Sequence, residues 1–211
     1  MEWILWFLII SATLLIFIIL IRKLPHSQLS STISEKFDQI KELKERPKAR
    51  KRGRSNLEEI KLKFKEGDLE EAEKALIDFL LENPKNSEAY NLLGIIYLEK
   101  GNYADAIDSF NQALKHDPKN SSILNNLGLA FYHQGKYNKA IEYYEKAIKK
   151  DELKPSRYIN LALAFEKMHD YTKAKEALQK ALVLKKGDKK IEELLLEIER
   201  KLKNHRLTNK E

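Results

Sequence analysis

The chain has 211 residues, a net charge of +7 and no cysteine. Without cysteine there is no disulfide framework, thiolate nucleophile or cysteine-based metal site, and the length suits one ordinary domain with attachments. The charge is uneven: Arg22 to Asn56 holds eleven Lys and Arg against four Asp and Glu, while everything from Leu57 onward sums to +1. A fold-wide basic face for nucleic acid is therefore not indicated.

Residues 1–23 read as a transmembrane anchor. Trp3 to Ile21 is a run of nineteen residues without a charge. As a helix it is roughly 28 Å long at about 1.5 Å per residue, close to the hydrocarbon thickness of a bilayer. Trp3 and Trp6 stand near one end, where indole rings favour the interface, and Arg22 and Lys23 follow at the other. A cleaved signal peptide calls for a basic n-region, a shorter apolar core and a small-residue cleavage site. Here the n-region is Met-Glu and no A-x-A pattern follows the core.

Residues 24–55 form a basic juxtamembrane linker. Thr32 and Glu35 have capping-box spacing, Ile33, Phe37 and Ile40 give a narrow apolar stripe, and Pro47 marks a stop, so a short helix is expected. The basic run Arg46, Lys48, Arg50, Lys51, Arg52 and Arg54 then follows. Positive charge beside a spanning helix stays on the cytoplasmic side. The expected topology has the N-terminus outside and residues 22–211 in the cytoplasm. The run also suits an anionic leaflet, where each Lys or Arg contributes on the order of 1 kcal/mol. RNA is the minor alternative, since no aromatic residue interleaves the charges.

The remainder repeats with a period of 34. Gly67, Gly101, Gly135 and His169 share one place, Leu69, Tyr103, Tyr137 and Tyr171 another, and Ala72, Ala106, Ala140 and Ala174 a third. The row 87–120 supplies Tyr90, Leu93, Gly94, Tyr97, Ala106, Phe110, Ala113 and Pro118. The row 121–154 supplies Leu124, Leu127, Gly128, Phe131, Ala140, Tyr144 and Ala147, and the row 155–188 supplies Tyr158, Leu161, Ala162, Phe165, Ala174, Leu178 and Ala181. On these residues the chain resembles the tetratricopeptide repeat (TPR) family.

The resemblance implies an all-α solenoid of helical hairpins. Gly94, Gly128 and Ala162 let the two helices of a hairpin approach closely. Gly101 and Gly135 take positive φ to end the first helix. Residues 53–86 read as a degenerate first repeat, because Leu57, Ile60 and Phe64 sit one place late. The TPR domain is thus 56–188. Ile191, Leu194, Leu195, Ile198 and Leu202 mark a capping helix over 189–204, and 205–211 are expected to be a loose tail.

No catalytic motif is present: the sequence has no HExxH, P-loop, GxSxG or dinucleotide-binding glycine pattern, and its five histidines share no ligand spacing. The chain is expected to be no enzyme, with no cofactor, no metal and no small-molecule substrate. The resemblance places the working surface on the first helices, which line a concave groove in the family. The matching places are Asn91, Ile95 and Leu98, then Asn125, Asn126, Leu129 and Tyr132, then Ile159, Asn160 and Leu163. Their apolar members either pack against the neighbouring first helix or form a strip for an extended peptide or helix.

Asn126 and Asn160 resemble the asparagine ladder of the TPR domain in O-linked N-acetylglucosamine transferase, a ladder that Leu92 breaks one row earlier. The carboxylate clamp of chaperone-binding TPRs lacks its cations here, with Asn91, Ser156 and Asn160 in their places, which disfavours Hsp70 or Hsp90 tails. The anchor-plus-repeat layout is similar to the bacterial lipopolysaccharide assembly protein B family. That family also carries a cysteine metal module, so its role does not carry over.

The expected function is a membrane-anchored, non-catalytic scaffold or adaptor that binds a partner protein or peptide at the cytoplasmic face of what reads as a bacterial inner membrane. The alternative is a structural subunit or assembly factor of a secretion or envelope complex, contacted mainly through the transmembrane helix.

Overall fold

The computed structural model describes residues 56–208. The expected anchor, linker helix and basic run, including Arg22, Lys23 and Arg46 to Arg54, lie outside the described residues. Among the described residues no helix is long and apolar enough to cross a membrane.

Nine α-helices and no strand make up the described chain: α1 (Leu57–Glu66), α2 (Leu69–Glu82), α3 (Ser87–Glu99), α4 (Tyr103–His116), α5 (Ser121–His133), α6 (Tyr137–Lys150), α7 (Pro155–Lys167), α8 (Tyr171–Leu184) and α9 (Lys189–Thr208). Successive helices pack on one another, so α1–α2, α3–α4, α5–α6 and α7–α8 are hairpins and α9 closes the stack against α8. A lone hairpin cannot bury its apolar face, and stacking gives all of them one shared core.

Local chemistry sets the helix ends. Asn56, Asn86 and Asn120 cap α1, α3 and α5 by accepting backbone N–H bonds with their side chains. Lys154 caps α7 without a side-chain bond, but Pro155 at its first position has no N–H to satisfy. The first helix of each hairpin ends in the left-handed region. Gly67, Gly101 and Gly135 have φ of 88°, 76° and 76°, and His169 takes the same place at φ 60°. Each is followed by the same reach-back bond, as in Asn102 N–H to Tyr97 C=O at 2.8 Å and Asp170 N–H to Phe165 C=O at 2.9 Å.

Inside the hairpins the small residues permit contact. Ala72, Ala106, Ala140 and Ala174 are fully buried. A Cβ placed on Gly94 would stand 2.5 Å from the Phe110 ring, and one on Gly128 would stand 2.7 Å from the Tyr144 ring. In the first hairpin Ile60 occupies the corresponding place and is itself fully buried.

The last helix runs to Thr208, beyond the expected end at residue 204 and into the expected tail. It starts like another first helix but carries Lys203 where Gly67, Gly101 and Gly135 stand. There the helix continues, and Thr208 Oγ1 bonds back to Asn204 C=O and His205 C=O.

Candidate functional site

The face of the first helices is built by α3, α5 and α7. Its ten expected residues, Asn91, Ile95, Leu98, Asn125, Asn126, Leu129, Tyr132, Ile159, Asn160 and Leu163, are all half-buried. Ile95, Leu98, Tyr132 and Ile159 pack against the hydrophobic core. Leu129 and Leu163, one repeat apart, are half-buried and keep part of their apolar surface exposed in the middle of α5 and α7.

The asparagines pair with each other. Asn126 Nδ2 donates to Asn91 Oδ1 at 3.1 Å, and Asn160 Nδ2 donates to Asn125 Oδ1 at the same distance. Each bond links one first helix to the next. A side-chain amide offers two N–H donors and one acceptor oxygen. The ladder residues thus spend one donor each on a cross-repeat bond and keep an acceptor and a donor. Leu92 occupies the equivalent place in α3 and is buried, so the row holds two rungs.

Tyr132 sits where α5 ends, edge-on to His133 and Tyr137 at ring-centroid distances of 5.6 and 5.5 Å. Burial pushes its hydroxyl above the ordinary tyrosine range, and Glu166 adds to the effect. Tyr132 therefore stays neutral near pH 7 and works as a donor and as apolar surface. His133 also stacks on Tyr103 of the preceding hairpin, with centroids 5.4 Å apart. Glu166 is engaged by Lys201 of α9, whose ammonium the Glu166 bond holds well above its ordinary range. The face is therefore apolar and amide-rich in its centre and largely charge-neutral.

Arg157 was not foreseen as special. It lies on α7 at the place held by Ala89, Ile123 and Ile191, and it is 4% exposed. Its guanidinium reaches the Asp151 carboxylate at 2.8 Å, the Asp151 carbonyl oxygen, and Ser121 Oγ at 2.9 Å. These bonds brace the start of α7 to the loop before it and to the start of α5. An arginine between an apparently exposed Ser and a Tyr in "KPSRYIN" gives no sequence sign of burial.

Among the described residues no group of His, Asp and Glu has the arrangement to hold a metal ion. The chemistry this face can perform is recognition: hydrogen bonds from paired amides beside two leucines.

Three comparisons bear on what such a face belongs to. No curated protein matches the sequence. Among solved structures, the TPR domain of Sgt2 from Aspergillus fumigatus is 30% identical, covering 57% of this chain and 81% of that one with a TM-score of 0.54. MamA (residues 41 to the end) from Desulfovibrio magneticus RS-1 is 22% identical over 72% of this chain and 85% of its own, with a TM-score of 0.65. The first TPR of Spaghetti (RPAP3), bound to an HSP90 peptide, is 21% identical over 55% of this chain and 92% of its own, with a TM-score of 0.53. The last two likenesses are of fold alone. Sequence profiles described as tetratricopeptide repeat match residues 57–120 and 96–155, and a second one matches 155–188. Together these matches run from 57 to 188, well over half of the 211 residues, and the chain belongs to the tetratricopeptide repeat family.

Proposed function

We propose that this protein is a non-catalytic adaptor that holds a segment of a partner protein against its first helices, with residues 1–23 anchoring it in a membrane and the repeats on the cytoplasmic side. The observation that carries the reading is the alignment of the half-buried Leu129 and Leu163 with the pairs Asn91–Asn126 and Asn125–Asn160. Leucines one repeat apart offer two apolar contacts, and the remaining amide groups can bond a peptide backbone whatever its side chains. The first TPR of RPAP3 is bound to an HSP90 peptide, an example of what the fold can take. In this chain Asn91 and Asn160 stand where a carboxylate clamp needs cations, and both amides are already paired. The favoured ligand is therefore an internal segment with apolar side chains rather than a free C-terminal carboxylate.

The test is photocrosslinking in living cells from a photoreactive residue at Leu129. One dominant adduct is expected. In the Leu129→Glu/Leu163→Glu variant, capture of that partner should fall about tenfold or more, the loss typical of apolar anchor contacts. An unchanged set of captured proteins would remove this face from consideration. Protease protection in sealed vesicles checks the topology: repeats digested from the outer face of intact cells would overturn the cytoplasmic placement.

A further inference from the structure

The described domain is electrically lopsided. With histidines neutral, residues 57–120 carry a net −6 and residues 121–208 a net +7. The second helices follow the same trend, from −4 on α2 through −1 on α4 to +2 on both α6 and α8. Each end of the stack also shows apolar surface. Leu62 of α1 is 55% exposed, whereas its counterparts at 34-residue intervals, Ile96, Ala130, Ala164 and Ile198, are at most 3% exposed. Each of those helices follows a second helix, whereas α1 has none before it among the described residues. Glu59 and Glu66, one turn to either side of Leu62, are exposed. At the other end Leu207 of α9 is 60% exposed. Lys203 and Arg206 line a cleft with it and form no ion pair among the described residues.

The geometry points to a second copy of this chain as the occupant of these ends: we propose that the basic end of one molecule docks on the acidic end of the next. Leu207 would lie against Leu62, with Lys203 and Arg206 facing Glu59 and Glu66. Lys65 also stands one turn from Leu62, and Glu199 lines the Leu207 cleft, where Lys175 pairs with it at 2.7 Å, but acidic groups outnumber basic ones nine to four over residues 57–82 and basic groups predominate around Leu207, so each end suits the other better than itself. Such a contact is heterologous: it does not close into a two-fold dimer but continues into a row. Salt weakens it, because exposed charges are screened beyond about 10 Å at 0.1 M ionic strength.

Because the chain has no native cysteine, disulfide trapping reads the contact directly. Full-length Leu62→Cys and tagged full-length Leu207→Cys are mixed in mild detergent under gentle oxidation. The mixed disulfide should exceed the two like-with-like products by about tenfold at low ionic strength and fall severalfold at high salt. Glu59→Lys/Glu66→Lys should abolish it, and Lys203→Glu/Arg206→Glu on the other molecule should restore it. Melting curves establish that each variant is folded. Were the lysine variant misfolded, loss of trapping with Lys203→Glu/Arg206→Glu alone would carry the same weight. Equal yields of all three products, insensitivity to salt, or a charge swap that restores nothing would overturn the proposal. So would trapping of a different protein by Leu207→Cys in cells in place of the second copy.

Discussion

The two central hairpins and the two outer ones fill the place between their helices with different residues. In α3–α4 and α5–α6 a glycine faces an aromatic ring, Gly94 with Phe110 and Gly128 with Tyr144. The same two places hold Ile60 and Leu76 in α1–α2, and Ala162 and Leu178 in α7–α8, all of them buried. A larger residue on the first helix goes with a smaller one on the second. Ala162 with Leu178 keeps about the combined volume of the glycine–ring pairs, whereas Ile60 with Leu76 exceeds it, and glycine is demanded only where a ring opposes it.

The strongest way to break that comparison is Gly128→Val. Its branched side chain would meet the Tyr144 ring and, from Cβ, the Ala140 carbonyl oxygen at 3.2 Å, which is backbone and cannot swing aside. Overpacking of this kind should lower stability by about 3 kcal/mol, read from denaturant unfolding followed by circular dichroism. Copying the last hairpin with Gly128→Ala/Tyr144→Leu should be less destabilising than the sum of its two single changes, with a coupling of about 1 kcal/mol. Strict additivity would mean the two residues do not compete for one volume.

The same contrast explains what could be read from the chain. The 34-residue period located the hairpins because each repeat places glycine, alanine and large apolar residues at fixed offsets, and periodicity survives exchange of one member of a pair. The resemblance to the TPR family, and not the period, pointed to the face of the first helices. It did not reveal which apolar members of that face join the core. Ile95, Leu98, Tyr132 and Ile159 do. Nor did it reveal the asparagine pairing, because the bonds Asn91–Asn126 and Asn125–Asn160 join residues 35 apart rather than 34. Contacts between repeats depend on how neighbouring helices are rotated, and a row-by-row alignment holds no term for that. The end of α9 was misplaced because a helix without a stop signal continues as far as its hydrogen bonds allow.

A second contrast sets α7 against its neighbours. Where α3, α5 and α9 bury Ala89, Ile123 and Ile191, α7 buries Arg157. Arg157→Ala should lower stability by about 2 kcal/mol, since it empties the site and strips Ser121 and the Asp151 carbonyl of their donor. Arg157→Ile should stay within about 1 kcal/mol of the wild type, because a buried ion pair is often replaceable by a well-packed apolar residue. Acid separates the two states of the site. The Arg157 guanidinium, followed by the Leu153 N–H, holds the Asp151 carboxyl below the usual carboxylate range. A carboxyl depressed in the folded protein adds stability that is complete above its unfolded value of about 3.9 and lost as pH falls through the lower folded value. The melting-temperature advantage of wild type over Arg157→Ile should therefore shrink below about pH 4. A gap that widens in acid would show that Asp151 is not the partner that matters.

The smallest expected effect concerns the turn that ends α7. Three hairpins place glycine in the left-handed region and the fourth places His169 there, at φ 60° with the same reach-back bond that follows Gly135. A residue with a Cβ in that region is strained by about 1 kcal/mol or more. Glycine relieves the strain but loses more backbone freedom on folding, by roughly 0.5–1 kcal/mol. His169→Gly also gives up the 2.9 Å bond between His169 Nδ1 and the Tyr171 hydroxyl, which joins exposed groups and so contributes little. The balance favours glycine by about 0.5 kcal/mol, or a rise of about 1–2 °C in melting temperature. Tyr171→Phe isolates the side-chain bond, since it removes the hydroxyl and leaves the backbone alone. If His169→Gly melts earlier than the wild type while Tyr171→Phe melts with it, the hydroxyl bond is not the reason, and the His169–Tyr171–His205 ring contacts, 5.9 and 5.6 Å between centroids, outweigh the backbone strain. In that case the last turn is held by side chains that reach α9, whereas the three before it are held by backbone conformation.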